Sequence, residues 1–265
     1  MSEAVLITGA SSGIGAALAR EYDRRGARVA LLARRTDRIA SLATELRDAK
    51  AIRCDVCDDA SVAEAFAEAL AAFGRLDVVI ANAGIGVNGT VEALSLDDFR
   101  RQFETNVFGA LRTAKAAIAP LRATRGRLAL VGSVSGYLSL PSTGAYAMSK
   151  FSVRALAETL SAELAADGIS VTHIAPGFIE SEIRQVDNVG ALHGERRDPI
   201  PSFLVMRATV AAEQMANAID ARRPEFVVTL HGKTAAFLAT RFPRSMQSIA
   251  RFAATRIVQK RKASA

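Results

Sequence analysis

Short, continuous apolar runs alternate along this chain with longer stretches whose apolar positions recur every three or four residues. The runs at 5–8, 28–33, 50–54, 77–81, 126–132, 170–175 and 226–230 are largely unbroken by the every-second-residue polarity of a half-wet strand. They predict strands buried on both faces, as in a parallel sheet. The stretches between them, at 14–25, 37–47, 61–73, 96–120, 145–166 and 210–221, predict amphipathic helices. Strand then helix, repeated with right-handed crossovers, gives an α/β fold: a doubly wound, parallel, seven-stranded sheet with helices on both faces. The least regular region, 180–208, carries Pro199, Pro201 and the mixed charges Glu195-Arg196-Arg197-Asp198. It falls between the last two strands, where a substrate lid is expected.

Size and charge sharpen this picture. Half of the 265 residues are hydrophobic, enough for one large core, and the pattern assigns residues 1–231 to a single domain. From residue 232 onward the chain holds Lys233, Arg241, Arg244, Arg251, Arg256, Lys260, Arg261 and Lys262 and no acid; this +8 tail exceeds the net charge of +7, so the body is near neutral at −1. Within the tail, 234–242 reads as a short apolar helix ended by Pro243. Beyond it Met246, Ile249, Ala250, Ala253 and Ile257 share one helical face, mostly opposite Arg244, Arg251, Thr255 and Lys262. Such a basic amphipathic extension either lies on an anionic membrane or packs its apolar face on the body or a partner subunit. A nucleic-acid partner is not expected, because aromatic interleaving and known binding motifs are both lacking. The first apolar run begins almost at Met1, and no run approaches the ~20 residues of a membrane span. The expectation is a soluble cytoplasmic protein, membrane-associated if the tail docks on lipid. Cys54 and Cys57 read as two reduced thiols or, less simply, a redox or metal pair, and no second Cys/His pair completes a metal site.

Two motifs carry chemistry. Thr8-Gly9-Ala10-Ser11-Ser12-Gly13-Ile14-Gly15 follows the first strand and opens a helix. There, glycines let backbone approach a pyrophosphate whose charge a helix N-terminus favours, although the loop could also be only a turn. At the end of the second strand, where an acid would take a ribose 2′-hydroxyl, Arg34 and Arg35 stand instead. A guanidinium suits a 2′-phosphate, so NADP(H) is expected over NAD(H), with Arg34 the leading contact and Arg35 or Ser12 assisting; a solvated surface pair is the alternative. Farther on, Tyr146 and Lys150 sit four residues apart, on one helical face. A cation beside a phenol draws its pKa from roughly 10 toward the range useful for acid–base catalysis.

Taken with Asp55-Val56, Asn82-Ala83-Gly84, Asn106, Ser133 and Pro176-Gly177, these motifs make the chain resemble the short-chain dehydrogenase/reductase family in its compact branch, across roughly residues 4–230. The resemblance implies a Rossmann-like fold and an oxidoreductase that moves hydride between nicotinamide and a carbonyl or secondary alcohol. Tyr146 would be the acid–base, Lys150 would lower its pKa and hold the nicotinamide ribose, and Ser133 would orient the substrate oxygen, with Ser135 close enough to compete. Asn106 would interrupt a helix and hold a water on a proton relay, or serve only as a structural amide. The cofactor would contact Gly9, Ser11, Ser12, Gly13, Ile14, Gly15, Arg34, Arg35, Asp55, Val56, Asn82, Ala83, Gly84, Tyr146, Lys150, Pro176, Gly177, Ile179 and Ser181. Ser181 stands where the family often has Thr, and Ala81 where it often has Asn. The substrate would meet Ser133, Tyr146, Tyr137 and Leu138, and apolar residues of segments 85–90, 134–140 and the lid favour an apolar ketone or aldehyde. A homodimer or homotetramer through helices 96–120 and 145–166 is implied as well. The reading from another class is a catalytically silent NADP(H)-sensing protein of the same fold; loss of a catalytic residue would favour it, and none is lost. His173, His193 and His231 are given no task.

Overall fold

The computed structural model describes residues 2–184, 188 and 200–252. The middle of the expected lid, including His193 and the Glu195–Asp198 charges, and the tail from Ala253, including Ile257, lie outside the described residues. Seven strands, β1 (Ala4–Thr8), β2 (Arg28–Ala33), β3 (Ala49–Arg53), β4 (Val78–Ala81), β5 (Arg127–Val131), β6 (Ser170–Ala175) and β7 (Glu225–Val227), form one sheet. Its order is β3-β2-β1-β4-β5-β6-β7, and every pairing is parallel. The helices are α1 (Gly13–Arg24), α2 (Thr36–Glu45), α3 (Asp59–Phe73), α4 (Leu96–Phe103), α5 (Gly109–Thr124), α6 (Gly144–Glu163), α7 (Ala208–Asp220) and α8 (Leu230–Arg241).

Burial follows from the unbroken apolar strands. All five residues of β1 are buried, because alternate side chains enter two separate cores. Ala4 and Leu6 join a core that includes residues of α3, α5 and α6, while Val5 and Ile7 join one that includes residues of α1, α2 and α7. The strand order reverses between β1 and β4, and the crevice outside their carboxyl ends is where a doubly wound sheet binds ligands. The expected fold class is the observed one.

Three expectations shift. The helix read over 96–120 is α4 and α5 joined by a π-helical turn, Glu104–Phe108, and α5 continues to Thr124 with Pro120 inside it. The seventh strand ends at Val227 instead of 230, because Thr229 caps a helix: its side chain accepts a hydrogen bond from the Gly232 N–H at 3.2 Å. Consequently the tail's first helix begins at Leu230, not 234, and the 231/232 boundary falls inside α8. Ala236 and Ala239 bury against Tyr137 and Ala175, which ties this helix to the body.

Candidate active site

The glycine loop is built by backbone geometry and locked by Asn82. Gly9 adopts φ +68°, and a Cβ there would meet the Ala83 Cα at 2.7 Å. A side chain on Gly15 would overlap the Gly9 carbonyl oxygen, so helix and loop pack closer than any other residue allows. Asn82 Nδ2 donates to the Thr8 and Gly9 carbonyls at 2.9 and 3.2 Å, and the Asn82 and Ala83 amides donate to Thr8 Oγ1 at 3.1 and 3.2 Å. The side chain of Asn82 thus braces the loop. Ser12 forms no side-chain cap on α1, so its hydroxyl does not occupy the first turn's N–H groups, an arrangement that suits an anion with the helix dipole behind it. These features fit the pyrophosphate of a dinucleotide.

At the end of β2 the two arginines part. Arg34 is exposed. Arg35 turns onto the loop, with Nε donating to Ser11 Oγ at 3.1 Å and Nη2 to Ser11 Oγ and Ser12 Oγ at 2.8 and 2.7 Å. Arg35 Nη1 and Arg38 Nη1 both donate to the Glu182 carboxylate. The structure therefore puts Arg35, not Arg34, at the loop, and adds Arg38 and Glu182, which the sequence did not single out. Asp55 is occupied locally, its Oδ1 accepting from the Cys57 N–H at 3.0 Å, and Val56 is buried against Gly109. Ile14 packs on the core, Ile179 is buried in a bridge to Met206, and Gly13 lies against Ser181.

The residues expected to do the acid–base work lie after β5, in the π-helical turn and in the first half of α6. Lys150 is buried, and its Nζ donates to the Val131 carbonyl at 3.0 Å and lies 5.7 Å from the centre of the Tyr146 ring. Burial lowers its pKa to about 8. Ser133 follows β5, and its Oγ accepts from the Ser135 N–H at 3.0 Å, which leaves the Ser133 hydroxyl hydrogen free to point elsewhere. Ser135 thereby supports Ser133 through its backbone. Asn106 lies in the π-helical turn and clamps the backbone after Gly84: Oδ1 accepts from the Ile85 N–H at 2.8 Å, and Nδ2 donates to the Ile85 carbonyl at 3.0 Å and to Ser149 Oγ at 3.1 Å. Ser149 Oγ in turn donates to the Tyr146 carbonyl at 2.7 Å, so Asn106 is two hydrogen bonds from the backbone of the phenol. A side chain on Gly84 would stand 3.3 Å from Asn106 Oδ1 and 3.7 Å from Lys150 Nζ.

Several residues were missed. Gln102, fully buried, accepts from the Val87 N–H at 2.6 Å and donates to the Ile85 carbonyl at 2.9 Å, which fixes the segment that leads away from Gly84. His231 Nε2 accepts from the Phe178 N–H at 3.3 Å and its ring stacks on Phe178, supporting the segment after Pro176 and Gly177. Pro176 is joined to the serine turn through the Val134 N–H. His173, given no task by the sequence, is buried with Nδ1 3.3 Å from the Tyr137 hydroxyl and 3.9 Å from Glu225. Tyr137 is buried under Arg154, whose guanidinium carbon sits 4.2 Å from the ring centre, and its neighbour Leu138 packs on the same cluster. Its hydroxyl is committed to His173 instead of being free for a substrate. Only partnership across the sheet edge, invisible along the chain, could have revealed this. Cys54 and Cys57 are free thiols; burial raises Cys54 to about 11. Among the described residues no cluster of His, Cys, Asp and Glu could hold a metal, and no helix is long and apolar enough to cross a membrane.

Comparison with known proteins agrees with this fold. Residues 3–190 match the family model described as short chain dehydrogenase. The chain is 36% identical over 190 residues to dehydrogenase/reductase SDR family member 7B of Bos taurus, an alignment that takes in 68% of this chain and 58% of that protein. Thus it spans less than two thirds of that relative's length. An alcohol dehydrogenase from Thermococcus sibiricus, solved with 5-hydroxy-NADP, superposes with a TM-score of 0.75 at 28% identity, covering 86% of this chain and 96% of that one. A short chain dehydrogenase/reductase from Burkholderia phymatum, solved with NAD, superposes with a TM-score of 0.80 at 25% identity over 89% and 92% of the two chains.

Proposed function

The chain belongs to the short-chain dehydrogenase/reductase family of oxidoreductases, and from that premise we propose that it is an NADP(H)-dependent enzyme acting on an apolar ketone, aldehyde or secondary alcohol. The observation that supports the acid–base assignment is buried Lys150, whose Nζ lies 5.7 Å from the centre of the Tyr146 ring and donates to the carbonyl of Val131, two residues before Ser133. A bound nicotinamide supplies or accepts the hydride. Tyr146 gives a proton to the substrate oxygen in reduction and takes it in oxidation. Ser133 donates a second hydrogen bond to that oxygen as negative charge develops, which favours the transition state over the ground state. Lys150, cationic below about pH 8, favours the phenolate form of its neighbour. Asn106 holds the Ile85 segment and Ser149 in register with Tyr146, and the π-helical turn around it would hold the relay water.

Cofactor preference rests on Arg35 and Arg38. Arg35 presents guanidinium donors beside the Ser11 and Ser12 hydroxyls and Arg38 shares its carboxylate partner, the donor set of a phosphate monoester, and arginines instead of an acid directly follow β2. For the substrate, Val91, Leu140 and Phe203 are large apolar side chains left exposed on or next to the three segments expected to form the pocket. Outward Phe108, Met148 and Phe151 on the π-helical turn and α6 suit a homodimer or homotetramer built through these elements. Free thiols suit a reducing cytoplasm, and the tail supports contact with an anionic membrane surface. No observation favours the catalytically silent reading.

Tyr146→Phe tests the assignment. It should lower kcat by at least about a thousandfold against the best of a panel of ketones, aldehydes and alcohols while NADPH still quenches or enhances protein-bound fluorescence at the same concentration. Near-normal turnover in this variant rejects the proposed acid, and a substrate panel silent with NADPH but active with NADH rejects the proposed preference.

A further inference from the structure

The arginine that grips the glycine loop is itself gripped from the far side. Arg35 spends Nε and Nη2 on the two serine hydroxyls, and its remaining Nη1 donates to Glu182 Oε2 at 3.0 Å. Arg38, in the first turns of α2, donates to both oxygens of that carboxylate at 2.7 and 2.9 Å. Glu182 arrives from 147 residues away in sequence, in a short 3₁₀ turn after β6, directly after the Ser181 that lies against Gly13. A carboxylate held between two guanidiniums has the contacts a phosphate monoester would make there. Burial alone would push this carboxyl up, but Arg38 and Arg35 hold it below the usual carboxylate range, so it is an anion at neutral pH.

We propose that Glu182 is an internal competitor for the cofactor's 2′-phosphate, occupying the phosphate subsite until NADP(H) displaces it. The inference rests on the reading of Arg35, Arg38 and the two serines as that subsite. Its physical basis is a comparison of anions. Both ion pairs are partly exposed, with Glu182 31% and Arg35 41% accessible, so each is weak on its own. A phosphate dianion brings more charge and a third acceptor oxygen to the same donors and displaces the monoanion. The neutral 2′-hydroxyl of NAD(H) cannot, and NAD(H) binds with Glu182 still in place. Glu182 therefore weakens the binding of the phosphorylated cofactor selectively and narrows the gap between the two cofactors. It also ties departure of residues 181–182 from the loop to the phosphate alone.

Titration with 2′,5′-ADP isolates the subsite, with 5′-ADP as the control lacking the 2′-phosphate, and NADPH and NADH extend the comparison to whole cofactors. Glu182→Gln should tighten 2′,5′-ADP and NADPH by about five- to tenfold, the scale of one or two exposed ion pairs, and leave 5′-ADP and NADH within about twofold. Glu182→Ala, with no side-chain acceptor, should move them in the same direction, and thermal melts of both variants establish that they fold. Unchanged or weaker 2′,5′-ADP binding in both variants overturns the competitor and makes Glu182 a brace for the arginines. Arg35→Ala separates this from failure of the underlying reading: if that variant and the intact protein both bind 2′,5′-ADP no better than 5′-ADP, the subsite itself is wrong.

Discussion

At the scale of single residues, the most unusual group is Lys150, an amine with almost no exposed surface whose pKa is brought down by burial from 10.5 to about 8. The unfolded chain holds this proton more tightly than the folded one. Stability gained from a neutral amine is present above pH 10.5 and is lost as pH falls to about 8, so at pH 7 the buried charge costs stability on the order of 3 kcal/mol. Lys150→Met removes the charge but strands the Val131 carbonyl, which offsets about 1–2 kcal/mol. The variant should lose turnover yet unfold at higher urea concentration at pH 7, by about 1–2 kcal/mol, and that advantage should shrink as pH rises from 8 to 10.5. A variant less stable than the intact protein at pH 7 would show that the charge is compensated by groups around it. The pairing of Tyr146 with Lys150 is legible in sequence because i and i+4 share a helical face whatever the rest of the fold does. The choice between Arg34 and Arg35 is not, since adjacent residues at a strand end point to opposite sides and only the loop's position selects one. Glu182 was beyond reach for a different reason: nothing local marks a carboxylate whose partners lie in α2 and just before it.

Among the elements, the inner strands β1, β2, β4, β5 and β6 are readable to within a residue, because burial on both faces leaves an uninterrupted apolar signature. The break between α4 and α5 left no such trace in the helical periodicity. A π-helical turn inserts one extra residue that the apolar period does not register, and here the turn carries Asn106, whose amide serves another segment. Reading an interruption there came from the family resemblance alone. Asn106→Ala should orphan the half-buried Ile85 N–H and cut the link to Ser149, destabilising the protein by about 1–3 kcal/mol, while the Ile85 carbonyl keeps its bond from Gln102. Activity should fall further than stability explains, because the Ser149 bond to the Tyr146 carbonyl loses its partner. Melting curves and initial rates measured well below the new midpoint separate the two effects; a variant that melts lower but turns over normally would confine Asn106 to a structural role. The short β7 illustrates the converse error. Its apolar run continues into Leu230, but a Thr-x-x-Gly cap outranks strand propensity and turns the same residues into the start of α8.

For the molecule as a whole, charge and apolar surface are unevenly shared between body and tail. In α8, Gly232, Ala236 and Ala239 face the protein while Leu230 and Phe237 stand on the opposite side, 79% and 61% exposed, with Lys233 and Arg241 beside them. Residues 243–252 continue as helix, with Met246 packed inward and Ile249 and Phe252 outward among Arg244 and Arg251. No acid occurs after Glu225. Exposed aromatic and aliphatic side chains flanked only by cations suit an anionic lipid interface, where each basic residue near the surface contributes about 1 kcal/mol. Truncation at 231 would be a poor test, since it removes a helix whose inner face belongs to the core. Ending the chain at residue 242 keeps α8 and discards only residues 243–265. Vesicles of phosphatidylcholine containing about 30% phosphatidylserine should float the intact protein at low salt and release it at high salt, as screening demands. The shortened chain should float less, and Phe237→Glu in the full chain, which sets an acid against the anionic lipid, should also float less than the intact protein. If all three stay in the soluble fraction on anionic and neutral vesicles alike, the outward face of α8 is a surface for another protein and not for lipid.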